Sequence, residues 1–293
     1  MTADLQEIAD LVSLFDDSDT VVTGKVNERL ISLGIEVIPT LLTLASRESD
    51  KTARNAILER TSSINTELRL SALEDFASRP KGPLSLFEGS LIVCSMLNPK
   101  VTRESYEDDF FRCSTEYLSE ASDQRTGVEN IRIFNHIFYH RLRFTLCDVE
   151  LRDPTYSLIS DVLKTRKGNP FALSLIYFMI AQESGLPLQA LCFPGGFVPV
   201  YVENGKELFY INVYHGGEIF LKDHLDEFIS RTGISIDKNT FRRRDESAML
   251  SIYLESLLYI YSNRHYEKKC SAIDRALNIL GSERFLAIDE EDL

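Results

Sequence analysis

The sequence predicts an α+β protein that is mostly helical, with one buried central helix packed on a small antiparallel sheet and helical-repeat-like modules on either side. Three observations support this fold class. Apolar residues follow helical spacing at both ends of the chain, the run 171–180 is apolar nearly all round, and four short strand-like runs come after it. The 293 residues are 44% apolar and 26% charged, as in ordinary globular proteins. A disordered chain, a collagen-like fibre and a disulfide scaffold are thereby excluded.

Residues 1–80 are predicted to be helical throughout. Two dipeptides recur after 31 residues, Ser-Asp at positions 18 and 49 and Glu-Arg at positions 28 and 59. Each Ser-Asp offers an N-cap for a helix. The pattern resembles a HEAT-like pair of antiparallel helices, a unit that buries its core only by stacking on neighbours. The Pro- and Gly-containing segment 79–83 is the predicted end of this module.

The next stretch, residues 84–165, is also predicted to be mainly helical, and it contains the sequence's closest approach to a metal motif. His136 and His140 are four residues apart, which places them on one helical face. The zinc motif HEXXH needs a Glu after the first His, and here that residue is Ile137. We therefore interpret both as ordinary helix histidines and expect no metal and no cofactor.

A buried helix and an antiparallel meander are predicted from residue 169 onward. Asn169 is a good N-cap, Pro170 suits the first helical position, and Gly185 supplies the end. Strands are predicted at 188–193, 197–202, 208–213 and 218–221, with Asn204-Gly205 as a tight hairpin turn. A short helix is predicted at residues 223–231. An antiparallel helical pair is predicted at 245–262 and 266–280, followed by an acidic tail at 289–292.

Charge argues against nucleic acid as a partner. The formal net charge is −13, from 45 acidic and 32 basic residues, and no large segment is basic overall. The two short basic clusters, 164–167 and 242–244, are interpreted as solvated faces rather than anion sites. Binding to a membrane is not expected either, because no apolar run approaches the roughly 20 residues that span a bilayer.

Cysteine usage and the first residues favour a cytoplasmic protein. The five cysteines are widely and irregularly spaced without any CxxC pair, so we expect reduced thiols rather than a zinc or redox centre. The first eleven residues carry acids where a secretory signal carries Lys or Arg.

Several short strings resemble the bacterial SirB-type branch of the transglutaminase-like superfamily. They are LKTRKGNP at residues 163–170, LSLIY at 173–177, GLP at 185–187, FPG at 193–195, FYI at 209–211 and GG at 216–217. The resemblance covers about residues 84–282. It implies a transglutaminase-like domain over 84–235, followed by a tetratricopeptide-like hairpin over 240–285, with the HEAT-like module of 1–80 in front.

The resemblance also implies where a catalytic triad would stand. Active members carry a Cys at the N-terminus of the central helix, where the helix dipole and a His lower its pKa, and an Asp orients that His. The matching positions here hold Pro170, Gly196 and Asn212. Asn can replace Asp, but Gly removes the proton shuttle and Pro removes the nucleophile. Position 196 should still accept an imidazole within hydrogen-bond reach of Asn212.

The leading hypothesis is a catalytically inactive protein that binds a protein or a peptide. The alternative is a cysteine-dependent amide or thioester hydrolase with a relocated Cys192–His215 pair, since both residues are predicted near the mouth of the old cleft, beside Asn169. A purely structural subunit of a larger assembly is the third possibility. Ser174 is not expected to be a nucleophile, because its hydroxyl should bond back to the carbonyl of Pro170.

Overall fold

The computed structural model describes residues 5–15, 19–79, 85–120, 124–147, 153–193, 196–225, 227, 242–243 and 246–281. They group into two compact units. The first comprises residues up to 78 together with 92–102, and the second comprises 79–91 and everything from 103 onward. The predicted α+β, mostly helical class is confirmed.

The first unit is helical, as the apolar spacing predicts. Its two Ser-Asp dipeptides do provide caps: Asp19 accepts the Val21 N–H at 2.8 Å, and Asp50 accepts the Ala53 N–H at 2.8 Å. A continuous apolar core lies between the helices. The HEAT-like interpretation stays a prediction. The helices are α1 (Leu5–Val12), α2 (Thr20–Ser32), α3 (Val37–Arg47), α4 (Lys51–Ala77) and the end of α5 (Leu86–Leu97).

The second unit contains the remaining helices and the sheets. Among its described residues are also a π-helix at His136–Arg141 and short 3-10 helices at Pro154–Tyr156, Val213–His215 and Lys222–His224. The α-helices are α6 (Arg103–Leu118), α7 (Gly127–Asn135), α8 (Ile159–Thr165), α9 (Pro170–Glu183), α10 (Glu246–Ser262) and α11 (Glu267–Leu280).

Helix α9 is the buried central helix that the sequence predicts. Every residue from 172 to 181 is buried, so the helix has no solvated face over this stretch. It ends in a Schellman motif: Leu186 N–H donates to the carbonyl of Ala181, Gly185 N–H donates to that of Gln182, and Gly185 has a φ of +77°. Apolar residues on all sides, rather than on one stripe, explain its central position.

The strands are β1 (Thr145–Leu146), β2 (Lys167–Gly168), β3 (Leu188–Phe193), β4 (Gly196–Glu203), β5 (Lys206–Asn212), β6 (Glu218–Phe220) and β7 (Arg242–Arg243). A five-stranded antiparallel sheet, in the order β6-β5-β4-β3-β7, packs against α9. The four predicted strands are confirmed, and the hairpin turn forms with Asn204 and Gly205 both at positive φ. The two-residue strands β1 and β2 form a separate parallel pair that sequence patterns did not indicate.

The terminal helices α10 and α11 pack on each other as predicted, and α10 also packs on α9. The Tyr253 hydroxyl of α10 donates to the carbonyl of Ser157 at 2.9 Å and accepts the Ile159 N–H at 3.1 Å. The hairpin therefore belongs to the second unit, and its tetratricopeptide-like character stays a prediction. Of the helix predicted at 223–231, the structure shows the 3-10 turn at its start. The rest of that helix and the acidic tail lie mostly or wholly outside the described residues.

Candidate functional site

Asn169 holds the start of the central helix in a fixed, desolvated arrangement. Its Oδ1 accepts the Ala172 N–H at 2.9 Å, and its Nδ2 donates to Ser157 Oγ at 3.1 Å. Its backbone N–H donates to the carbonyl of Tyr156 at 2.7 Å. With only 2% of its surface exposed, Asn169 joins the helix start to the preceding loop and confirms the predicted N-cap.

Pro170 occupies the first position of α9, where the resemblance places the nucleophilic cysteine. A proline has no nucleophilic atom and no backbone N–H. Acyl-transfer sites at a helix start stabilise an oxyanion with backbone N–H donors of that turn. Here the first donor is missing, and the Ala172 N–H is already taken by the Asn169 cap. Neither a covalent intermediate at residue 170 nor an oxyanion hole made by its N–H is available.

Gly196, at the start of β4, lies between two aromatic side chains. It pairs with Phe193 of β3, and a Cβ added to Gly196 would lie 3.1 Å from Cζ of Phe193 and 3.5 Å from the hydroxyl of Tyr214. The Phe193 contact is tighter than an ordinary van der Waals contact, so that ring would have to shift by a few tenths of an ångström, whereas the Tyr214 contact is an ordinary one. That position 196 accepts an imidazole without gross clash stays a prediction.

Asn212 caps its own chain rather than facing position 196. It ends β5, and its Oδ1 accepts the Tyr214 N–H at 3.1 Å, which starts the short 3-10 helix. Its carbonyl accepts the Gly217 N–H at 3.0 Å. The predicted role of orienting a side chain at 196 finds no support in this geometry, because the side-chain oxygen is engaged locally.

The Tyr214 hydroxyl lies between the 3-10 helix and α9, close to Ser174. Burial raises the pKa of Tyr214, and the neighbouring Ser174 hydroxyl partly opposes this shift. Ser174 Oγ, in a residue 1% exposed, makes no hydrogen bond among the described residues. The predicted bond from Ser174 back to the carbonyl of Pro170 is therefore wrong.

A partly buried clamp of hydrogen bonds holds the 213–217 turn in place, and the sequence did not predict it. The Tyr177 hydroxyl of α9 donates to Asn135 Oδ1 at 2.7 Å, and Asn135 Nδ2 donates to the carbonyl of Gly217 at 2.6 Å. Tyr139, in the π-helix, donates to the carbonyl of Val213 at 2.7 Å. Burial raises the pKa of both tyrosines. A π-helix often marks a functional region, but it has no short sequence signature.

The structure does not join Cys192 and His215 into a catalytic pair. Cys192 lies in β3, is 0% exposed, and pairs with Phe197 of β4. His215 follows β5 and is exposed. Strand β4 separates β3 from β5, so these two strands are about 10 Å apart, and His215 lies in the turn beyond β5. A buried thiol without solvent access is a poor nucleophile for an external amide.

The other candidate features are the histidine pair and the two basic clusters. His136 and His140 are exposed, with ring centroids 5.3 Å apart, and no group of three or more potential metal ligands occurs in the described part of the chain. Arg166 is less solvated than predicted: its guanidinium lies 4.9 Å from the Phe144 ring centre and donates to Cys113 Sγ at 2.6 Å. Burial raises the pKa of the Cys113 thiol, and the positive charge of Arg166 partly opposes this shift. The side chains of cluster 242–244 lie outside the described residues.

Two bacterial proteins are similar to part of this chain. A UPF0162 protein of Xylella fastidiosa strain Temecula1 is 26% identical over 163 residues, covering 55% of this chain and 57% of that protein. A UPF0162 protein of Vibrio cholerae is 25% identical over 133 residues, covering 45% of this chain and 49% of that protein. The chain thus spans about half the length of the curated relatives it matches.

Two further findings complete the comparison. No solved structure matches the chain. Within the described residues, no helix is long and apolar enough to cross a membrane. The model of the transglutaminase-like superfamily matches residues 104–255, which is more than half of the chain and includes α9, Gly196 and Asn212. The chain therefore belongs to the transglutaminase-like superfamily.

Proposed function

We propose that this chain is a catalytically inactive member of the superfamily, of the SirB-type branch, that acts by binding a protein or a peptide. The observation that carries the proposal is Pro170 at the first position of α9. It removes the nucleophile together with the N–H that would stabilise an oxyanion. Gly196 removes the proton shuttle as well, so no group at these positions can begin or assist acyl transfer near neutral pH.

The geometry around Cys192 weighs against the alternative thiol hydrolase. Its side chain is fully buried within the sheet, and β4 separates its strand from the one that leads to the exposed His215. A reactive cysteine needs an accessible thiolate beside a positive charge or a base.

The proposed partner is a basic or neutral protein or peptide, because the chain carries a formal charge of −13. Nucleic acid and membrane surfaces are not proposed as ligands. We place the protein in the cytoplasm, where its five cysteines, all free in the structure, remain reduced.

Two measurements test the proposal. The purified chain is incubated with a glutamine-rich peptide pool and with a thioester, and the products are followed by mass spectrometry. We expect no turnover above that of a Cys192→Ser variant. Turnover that disappears in this variant would instead establish the thiol hydrolase.

Binding is tested by affinity capture followed by reconstitution from purified components. We expect at least one captured protein to bind the purified chain directly, with an affinity that weakens as salt is raised, because the partner is expected to complement an acidic surface. Failure of every captured protein to bind after purification would contradict the binding role.

A further inference from the structure

The Tyr214 hydroxyl lies close to Gly196, the position where the resemblance places the family's His. Strands β4 and β5 pair as far as Val200 and Tyr210, and Tyr214 lies beyond the end of β5, in the 3-10 helix Val213–His215. From this turn its hydroxyl lies 3.5 Å from a Cβ built on Gly196. Tyr214 therefore reaches position 196 from the turn that follows β5.

Phe193 and Ser174 are the other neighbours of this arrangement. Phe193 bounds Gly196 on its other side, 3.1 Å from the same built Cβ. On the helix side lies Ser174, one turn after Pro170, with a buried Oγ that makes no hydrogen bond among the described residues. The Tyr214 hydroxyl thus lies between the start of α9 and the start of β4, the two elements where the resemblance places the family's Cys and His.

Hydrogen bonds hold the backbone on both sides of Tyr214. Its backbone N–H is fixed by Asn212 Oδ1, and Tyr139 anchors the preceding carbonyl of Val213 at 2.7 Å. Asn135 anchors the carbonyl of Gly217 at 2.6 Å on the far side of the turn. The turn that carries Tyr214 is attached at both ends, so the ring does not depend on its own contacts alone for its position.

Resting on the proposed function, we infer that Tyr214 is a plug that fills the place of the missing imidazole and closes the old cleft. A closed cleft cannot accept a peptide side chain, so partner binding uses another surface of the chain. The tyrosine hydroxyl is the specific element of the plug, because it is the atom nearest to Gly196 from this side.

Accessibility of Ser174 tests the plug directly. In a Ser174→Cys variant, alkylation by iodoacetamide is followed at each cysteine by peptide mass spectrometry. We expect the new thiol to react at least about 100-fold more slowly than in the urea-unfolded chain. Adding Tyr214→Ala should accelerate this reaction at least about 10-fold and leave Cys192 unchanged, whereas adding Leu208→Ala, an exposed β5 position, should change neither. Fast alkylation with Tyr214 present, or no acceleration without it, would overturn the inference.

A double-mutant cycle provides a second test that removes only the hydroxyl. Gly196→His and Tyr214→Phe are made singly and together, and the ratio of unfolded to folded chain is measured in urea. We expect the histidine to raise this ratio about 5-fold less in the Phe background than in the Tyr background. Equal effects in both backgrounds would refute the plug but leave the missing nucleophile, and thus the proposed function, intact. Amide turnover by the wild-type chain would refute the proposed function instead.

Discussion

Replacing Asn169 by alanine should destabilise the central helix far more than the loss of an ordinary cap. The change removes the acceptor of the Ala172 N–H and the donor to Ser157 Oγ. Loss of an N-cap costs about 1 kcal/mol. Because the site is 2% exposed, water does not replace the lost acceptor, and the unpaired N–H adds about 1–2 kcal/mol. With the bond to Ser157, the total is about 3 kcal/mol.

A matched control is available in the same unit. Thr126 caps α7 in a capping box with Glu129, and Thr126 is exposed, so water can solvate the helix end after Thr126→Ala. That change should cost about 1 kcal/mol. Hydrogen exchange measured by mass spectrometry on peptides from 170–183 and from 127–135 reports the opening free energy of each helix separately.

This comparison also avoids treating the chain as a single two-state unit, which a molecule with two compact units need not be. Asn169→Ser, which keeps a side-chain acceptor, should fall between the wild type and Asn169→Ala. If Asn169→Ala lowers the opening free energy of its helix no more than Thr126→Ala does, the start of α9 is not desolvated as described. The inference that Tyr214 closes this region would then lose its support.

Three further outcomes are expected. Gly217→Ala should lower the free energy of unfolding by at least about 3 kcal/mol, because its Cβ would overlap the amide of Asn135. Gly216→Ala, also at positive φ but in open space, should cost about 1 kcal/mol. Equal urea midpoints for the two variants would contradict this expectation. Iodoacetamide should label Cys147 in the native chain but Cys192 only after unfolding, and His215→Ala should not alter the labelling rate of Cys192. Rapid labelling of Cys192 in the native chain would instead support the thiol hydrolase. Burial raises the pKa of Asp161, so this group contributes stability below about pH 4, and the contribution is lost as the pH rises through the pKa of the folded state. Asp161→Asn should therefore gain stability relative to the wild type as the pH rises through that pKa. A constant stability difference between the two proteins would be inconsistent with the raised pKa.

Much of the second unit could be predicted because its signals are local. The start and end of α9 depend on Asn169, Pro170 and Gly185, which act within one helical turn of their own positions. The meander follows from alternating apolar residues and from Asn204-Gly205, whose left-handed backbone few other residues adopt readily. Such features need no knowledge of which elements meet in space.

The contacts around the 213–217 turn could not be predicted because they join distant segments. Asn135 and Gly217 are 82 residues apart in sequence, and Tyr177 is 42 residues from Asn135. Nothing in the sequence around Tyr214 indicates that its hydroxyl lies near Gly196. Similarly, a two-residue strand such as β1 has no periodicity to detect, so its parallel pairing with β2 appears only in the structure.

The residues at the three positions where the resemblance places a catalytic triad share a property that bears on the proposed loss of chemistry. Each is a residue that its local backbone favours: proline is pre-organised for the first position of a helix, and Asn212 caps a 3-10 turn. Glycine is the residue that fits between the side chains of Phe193 and Tyr214. Active sites keep residues that are unfavourable for stability because the reaction requires them. Once that requirement is absent, residues that stabilise the local fold can replace them, which is the pattern found at Pro170, Gly196 and Asn212.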